Sequence, residues 1–127
     1  MDATKQASPF LQVPEAMWVA ANRLAFAIRD RHHISPGHTL VITRRPFIDW
    51  WSATAAERTT LMALVDQVKS LLDNEFHPAG YNVGFNAGAA AGQTAFHLHV
   101  HVIPRYVGDT EDPCGANASW EVARPRR

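Results

Sequence analysis

The chain has 127 residues, 46% hydrophobic and 19% charged, which suits one domain with its own core and excludes separate cofactor and substrate domains. Twelve Lys and Arg against twelve Asp and Glu leave no net charge, so the broad basic field of a general nucleic-acid binder is excluded and an anionic ligand must be held by local groups. The single Cys114 rules out an internal disulfide framework and a cysteine-rich zinc site. The start, Met1-Asp2-Ala3-Thr4-Lys5-Gln6, has neither the basic nor the apolar part of a secretory signal. No apolar run approaches the ~20 residues of a membrane span, so the expected location is the cytoplasm.

After a loop-rich entry around Ser8-Pro9-Phe10-Leu11, two apolar runs, Met17 to Ala20 and Leu24 to Ile28, flank the polar pair Asn22-Arg23 and predict a hairpin. Ser35-Pro36-Gly37 signals a turn that launches a buried strand over 38–43, ended by Pro46. Thr54 with Glu57 forms a capping box for a helix reaching about Asn74. Leu61, Leu64, Val65, Val68, Leu71 and Leu72 recur on one face of that helix. A strand is expected over 81–86, then a small-residue loop from Asn86 to Thr94, then a strand from Phe96 to Ile103 closed by Pro104. This order lacks βαβ alternation. It predicts an α+β fold, a mainly antiparallel five-stranded sheet with one long helix packed on it. Residues 1–127 form a single domain, with its core at about 9–109 and an irregular tail over 110–127.

Seven histidines are present, and His97, His99 and His101 fall within five residues. Side chains alternate along a strand, so the three imidazoles share one face while Leu98, Val100 and Val102 take the other. Three readings stand side by side. The residues can simply face water, although exposed strand positions favour Lys, Glu and Thr over three successive imidazoles. They can ligate zinc, with Asp30 or His38 converging from elsewhere, although no second ligand cluster is evident. Or one neutral imidazole attacks phosphorus while its neighbours orient it and protonate a leaving group. The loop ahead of the strand suits the last reading: Gly88 and Gly92 allow the backbone to form an anion-binding nest, and Asn86, Gln93 and Thr94 add side-chain donors.

The run from Gly92 through His97-Leu98-His99-Val100-His101 to Ile103-Pro104-Arg105 resembles the signature of the histidine triad (HIT) family of nucleotide hydrolases and transferases. Upstream, Ala27-Ile28-Arg29-Asp30 followed by Ser35 to Ile42 resembles the family's second block, so the resemblance covers residues 9–109. Gln93-Thr94 and Ile103-Pro104-Arg105 are more similar to the dinucleoside polyphosphate hydrolase branch than to the phosphoramidase branch.

The resemblance implies a HIT-like sheet continued across a homodimer, and hydrolysis at the α-phosphate of a dinucleoside polyphosphate through a nucleotidyl-histidine on His99. His101 would contact the phosphate and the leaving oxygen, with His97 and His38 in the supporting network. Asn86, Gln93 and Thr94 would bind phosphate oxygens, Asp30 the ribose hydroxyls, and Phe10, Leu11 and Ile28 would wall the base. No cofactor or structural metal is implied, a divalent ion entering only as the substrate's counter-ion; partners are the nucleotide and a second copy, with no membrane or general nucleic-acid binding. Alternative activities are a nucleoside phosphoramidate hydrolase, a dinucleoside polyphosphate phosphorylase, or a nucleotide-binding regulator with little turnover. Trp18, Trp50 and Trp51 are expected in the core or a dimer contact. Arg44, Arg45 and Arg105 either meet distal phosphates or stay solvated, and His32, His33 and His77 are surface residues. Trp120 is either a partly buried tail residue or reaches a pocket.

Overall fold

The computed structural model describes residues 8–114, so Trp120 and most of the expected tail lie outside the described residues. Five strands, β1 (Ala20–Ala21), β2 (Ala25–Arg29), β3 (Thr39–Thr43), β4 (Gly80–Gly84) and β5 (His99–Arg105), form one antiparallel sheet in the order β1-β2-β3-β5-β4. The central strands are buried on both faces, which is why β2 and β3 read as nearly unbroken small and apolar runs.

One face of the sheet lies under helix α1 (Ala55–Phe76). Leu61, Leu64, Val65, Val68 and Leu72 of the helix pack on Ala25, Ala27, Val41, Leu98, Val100 and Val102. Leu71, expected on this face, is 40% exposed, so the apolar stripe is narrower than the sequence suggests. The opposite face is also apolar over β2 and β3. There Phe26, Ile28, Leu40 and Ile42 are covered by Phe10, Val13 and Trp18.

Two expectations shift. The run Met17 to Ala20 does not form a strand: Pro14 sets the chain into a 3-10 turn, Glu15–Met17, in which the N–H of Met17 donates to Pro14 O at 2.9 Å, and only Ala20–Ala21 reaches the sheet. The last strand starts at His99, because residues 95–97 bend away and Leu98 N–H donates instead to Phe47 O at 2.8 Å. It also passes through Pro104, opposite Tyr81, because β3 pairs only as far as Val102 and no ladder donor is required of proline on that side.

Two ties position the elements that carry the histidines. Gly37 (φ +88°) turns the chain into β3 where a β-carbon would meet the Phe76 and Leu72 side chains at 3.0–3.1 Å. In the same turn Ser35 Oγ donates to Pro104 O, joining the entry of β3 to the end of β5. Among the described residues no helix is long and apolar enough to cross a membrane.

The helix start follows the expected capping box: Thr54 Oγ1 accepts from Glu57 N–H at 3.1 Å and Glu57 Oε1 from Thr54 N–H at 2.9 Å. Arg45 donates to both oxygens of Glu57, at 2.8 and 3.0 Å, fastening the helix to the segment after β3. The Arg45 bonds, more than burial opposes them, hold the Glu57 carboxyl down from the ordinary 4.5 to about 2. A depressed carboxyl stabilises the fold above its unfolded value and loses that contribution as pH falls through the folded one. With the half-exposed Arg45 screened by solvent, Glu57→Ala is expected to cost about 2 kcal/mol at pH 7. The difference from the parent chain should shrink between pH 4.5 and about pH 2, measured as urea midpoints across that range.

Candidate active site

Cross-strand partners share a face, so two rows run across the sheet opposite α1: Phe26, Ile42 and His99, then Ile28, Leu40 and His101. The imidazoles of β5 therefore border an apolar wall. Phe10 packs on that wall with its ring edge-on to His99, centroids 4.9 Å apart, and to His97 at 5.6 Å. Leu11 is 49% exposed and is not among the residues packed there; Val13 and Trp18, which the sequence did not single out, are. Trp18 stacks on Phe26 with centroids 4.6 Å apart, and Arg44 lies 5.0 Å over its ring.

The hydrogen on each imidazole follows from what the backbone can accept or donate. A carbonyl only accepts, so Nε2 of buried His97, 2.6 Å from Thr43 O, is a donor, and its Nδ1 takes the hydrogen of Ser8 Oγ at 2.7 Å. Similarly Nδ1 of His99 donates to His97 O at 2.7 Å, which leaves the ring's lone pair on Nε2. An amide only donates, so Nδ1 of His38 accepts from Ile34 N–H at 3.0 Å and its Nε2 carries the hydrogen. That hydrogen lies 2.9 Å, donor to acceptor, from Nδ1 of His101, which puts the hydrogen of His101 on Nε2. His99 thus presents a lone pair and His101 a donor.

These assignments require uncharged rings. Burial, above all, lowers the values of His38, His97 and His99 from 6.5, Asp30 opposing it at His38 and His99. His101 falls to about 4, from burial and then from its neighbours His99 and His38. Histidines gathered with little solvent disfavour one another's charge. None of the four rings is therefore a standing positive charge in the free site at neutral pH.

Asp30, just beyond β2, holds one oxygen against His32 N–H at 2.9 Å and places the other 3.5 Å from His38 Nε2. One donor atom each from Asp30, His38 and His101 falls within 4.8 Å of the others, a spacing open to a metal ion. Their hydrogen bonding disfavours it. Nε2 of His38 carries the hydrogen that bridges to His101, and a cation there would have to displace it while Ile34 keeps the other ring nitrogen.

The loop before β5 differs in detail from a nest. The N–H groups of Gly88, Ala91, Gly92 and Gln93 are spent within the loop, the first on Gln93 Oε1 at 2.8 Å. Gln93 is buried, and its Nε2 donates to Ile48 O at 2.9 Å and Ala95 O at 3.1 Å, so the side chain braces the loop. The donors open to a ligand are Asn86 and exposed Thr94, whose side chains have no hydrogen-bond partner among the described residues. Because Gly84 lies opposite His101, the chain leaves β4 toward Asn86 beside the His99 end of β5.

The expected arginines are engaged elsewhere. Arg44 donates to Asn22 O, Arg45 to Glu57, and Arg105 to both oxygens of buried Asp109 at 2.9 Å. Trp50 packs on the core, whereas Trp51 is 67% exposed with its ring edge-on to Phe85. His32, His33 and His77 are exposed. Ser8, whose only sequence signal is a hydroxyl ahead of Pro9-Phe10, is the residue the triad pattern conceals.

A family model described as the HIT domain matches residues 12–108. AP-4-A phosphorylase of Mycobacterium tuberculosis is 37% identical over 109 residues, 81% of this chain and 56% of that protein. The asymmetrical bis(5'-nucleosyl)-tetraphosphatase of Schizosaccharomyces pombe is 37% identical over 87 residues, 68% of this chain and 48% of that protein. The chain thus spans about half the length of these curated relatives. The crystal structure of a HIT family member from Bacillus subtilis superposes with a TM-score of 0.75 at 25% identity, covering 96% of this chain and 84% of that one. With its sheet, helix and imidazole cluster matched along most of their length, the chain belongs to the HIT family.

Proposed function

We propose that the chain cleaves the α-phosphate bond of a dinucleoside polyphosphate by two displacements through His99. The observation that carries this reading is the bond from His99 Nδ1 to the His97 carbonyl, which leaves a neutral ring with its lone pair on Nε2. In the first displacement that lone pair forms a bond to the α-phosphorus while the bond from phosphorus to the bridging oxygen breaks. The departing nucleoside polyphosphate takes the electron pair, and the Nε2 hydrogen of His101 meets the oxygen on which charge grows. The positive charge arising on His99 is shared through Nδ1–H with the His97 carbonyl. In the second displacement water attacks phosphorus and gives up one proton to solvent, the bond to Nε2 breaks with its electron pair returning to nitrogen, and the ring returns neutral with a nucleoside monophosphate released.

The remaining groups support substrate placement. Asn86 and Thr94 donate to phosphate oxygens, Asp30 accepts from ribose hydroxyls, and Phe10 with Ile28 borders the base. A carboxylate suits a diol and would repel a phosphate, so Asp30 also orients the nucleotide. No metal is required, a divalent cation serving as the polyphosphate's counter-ion. A homodimer completes the reading: β4 is an outermost strand and its Val83 is 51% exposed, which favours a second copy there.

The name of the mycobacterial relative favours one second reading, in which inorganic phosphate replaces water. Incubation of diadenosine tetraphosphate in excess EDTA, with and without phosphate, separates the two. AMP with ATP marks hydrolysis, and ADP with ATP marks phosphorolysis. A phosphoramidate cleaved faster than either would move the substrate class, and tight binding without product would favour a regulator. In whichever reaction runs, His99→Ala is expected to lower turnover by roughly 10⁴-fold or more while nucleotide still binds. Near-parental turnover in that variant excludes His99 as the nucleophile.

Two further outcomes follow. Since attack needs a neutral His99 and burial lowers its value, the acid limb of kcat/KM should lie below pH 6.5, and a limb at or above 6.5 contradicts the buried nucleophile. Asp30→Ala should weaken binding of a ribonucleotide more than of its 2'-deoxy counterpart, measured by calorimetry. Equal losses contradict the ribose assignment.

A further inference from the structure

The reaction described above makes no use of Ser8, yet Ser8 stands at the outer end of the contacts that reach His99. Its Oγ lies 2.7 Å from Nδ1 of His97, across 89 residues of sequence. Because the Thr43 carbonyl fixes the hydrogen of that ring on Nε2, the Ser8 hydroxyl is the donor in this bond. The His97 side chain is buried, so no solvent stands ready to replace the hydroxyl. Moving the ring hydrogen to Nδ1 offers no escape, since it would set the Nε2 lone pair against the carbonyl oxygen of Thr43.

The same oxygen has a second task. It accepts from Phe10 N–H at 3.2 Å, closing the 3-10 turn Pro9–Gln12 that lays the Phe10 ring against both His97 and His99. One hydroxyl thus anchors the bend at 95–97 from its ring and holds an aromatic cover over the next imidazole. The carbonyl of that bend is the group that accepts from His99 Nδ1.

We propose that Ser8 is a positioning residue: by donating to His97 it fixes the bend whose carbonyl sets the hydrogen placement and aim of His99. The inference rests on His99 being the nucleophile. It also places part of the machinery ahead of residues 12–108, the stretch that matches the family model.

The test compares Ser8→Thr with Ser8→Val, two side chains of nearly equal shape of which only the first keeps the hydroxyl. Turnover of the substrate that the parent chain cleaves is measured beside imidazole ¹⁵N spectra, which read which nitrogen of each histidine bears hydrogen. Ser8→Thr is expected to keep kcat within about two-fold, and Ser8→Val to lower it by about ten-fold or more with KM nearly unchanged. In Ser8→Val, His99 should pass from one tautomer, with hydrogen on Nδ1, to a mixture. Equal kcat in the two variants, or an unmixed His99 spectrum in Ser8→Val, overturns the proposal. Should neither variant fold, the parent spectrum decides: hydrogen on Nδ1 of His97 overturns it, and hydrogen on Nε2 supports it. Unchanged turnover in Ser8→Val beside an inactive His99→Ala removes the Ser8 proposal alone, whereas turnover surviving in His99→Ala removes the nucleophile assignment instead.

Discussion

The site depends on backbone groups that dictate where imidazole hydrogens go. A peptide carbonyl never donates and a peptide amide never accepts, so Thr43 O, His97 O and Ile34 N–H each remove one ambiguity from a neighbouring ring. Once those ends are set, the hydrogen of His101 follows through His38. A histidine cluster surrounded only by side chains would exchange tautomers freely. Here the fold acts as the reference, and Nε2 of His99 and Nε2 of His101 receive opposite roles from it, acceptor and donor.

Burial supplies the complementary condition. Desolvation holds the four rings uncharged near neutral pH, which preserves the lone pair that the proposed attack requires. It also keeps the free site from presenting a standing positive charge. In the proposed reaction a polyanion would be met by directed donors, and the charge that stabilises it most strongly would arise only as the reaction proceeds. Complementarity of that kind favours the transition state over the bound substrate. It fits a chain whose acidic and basic residues balance.

Much of this was legible in the residues. The capping box of Thr54 and Glu57 uses contacts three residues apart, and the buried stripe of α1 follows from helical spacing, so both could be read locally. The alternation of His99 and His101 with Val100 and Val102 could also be read locally, and the structure gathers those two imidazoles with His38 on the face opposite α1. What escaped was long-range. The buried amide of Gln93 reads as a phosphate donor until Ile48, 45 residues away, takes its hydrogens. The arginines read as free charge until Glu57, Asp109 and the Asn22 carbonyl engage them. Met17 to Ala20 looks like a strand by composition, but Pro14 decides the local backbone first.

The register of β5 carries a consequence of its own. His99 and His101 alternate with Val100 and Val102, whose side chains fill the layer beneath α1. A slip of one residue would press both imidazoles into that layer and turn the valines toward the face that Phe10 covers. Ser35, tied to the Pro104 carbonyl, guards against such a slip at the end of β5 that β3 does not reach. A chain paired out of step therefore loses its core and its imidazole row together. On the proposed mechanism such molecules would be silent and not merely slow, so the specific activity of a preparation would track the fraction whose strands are in step.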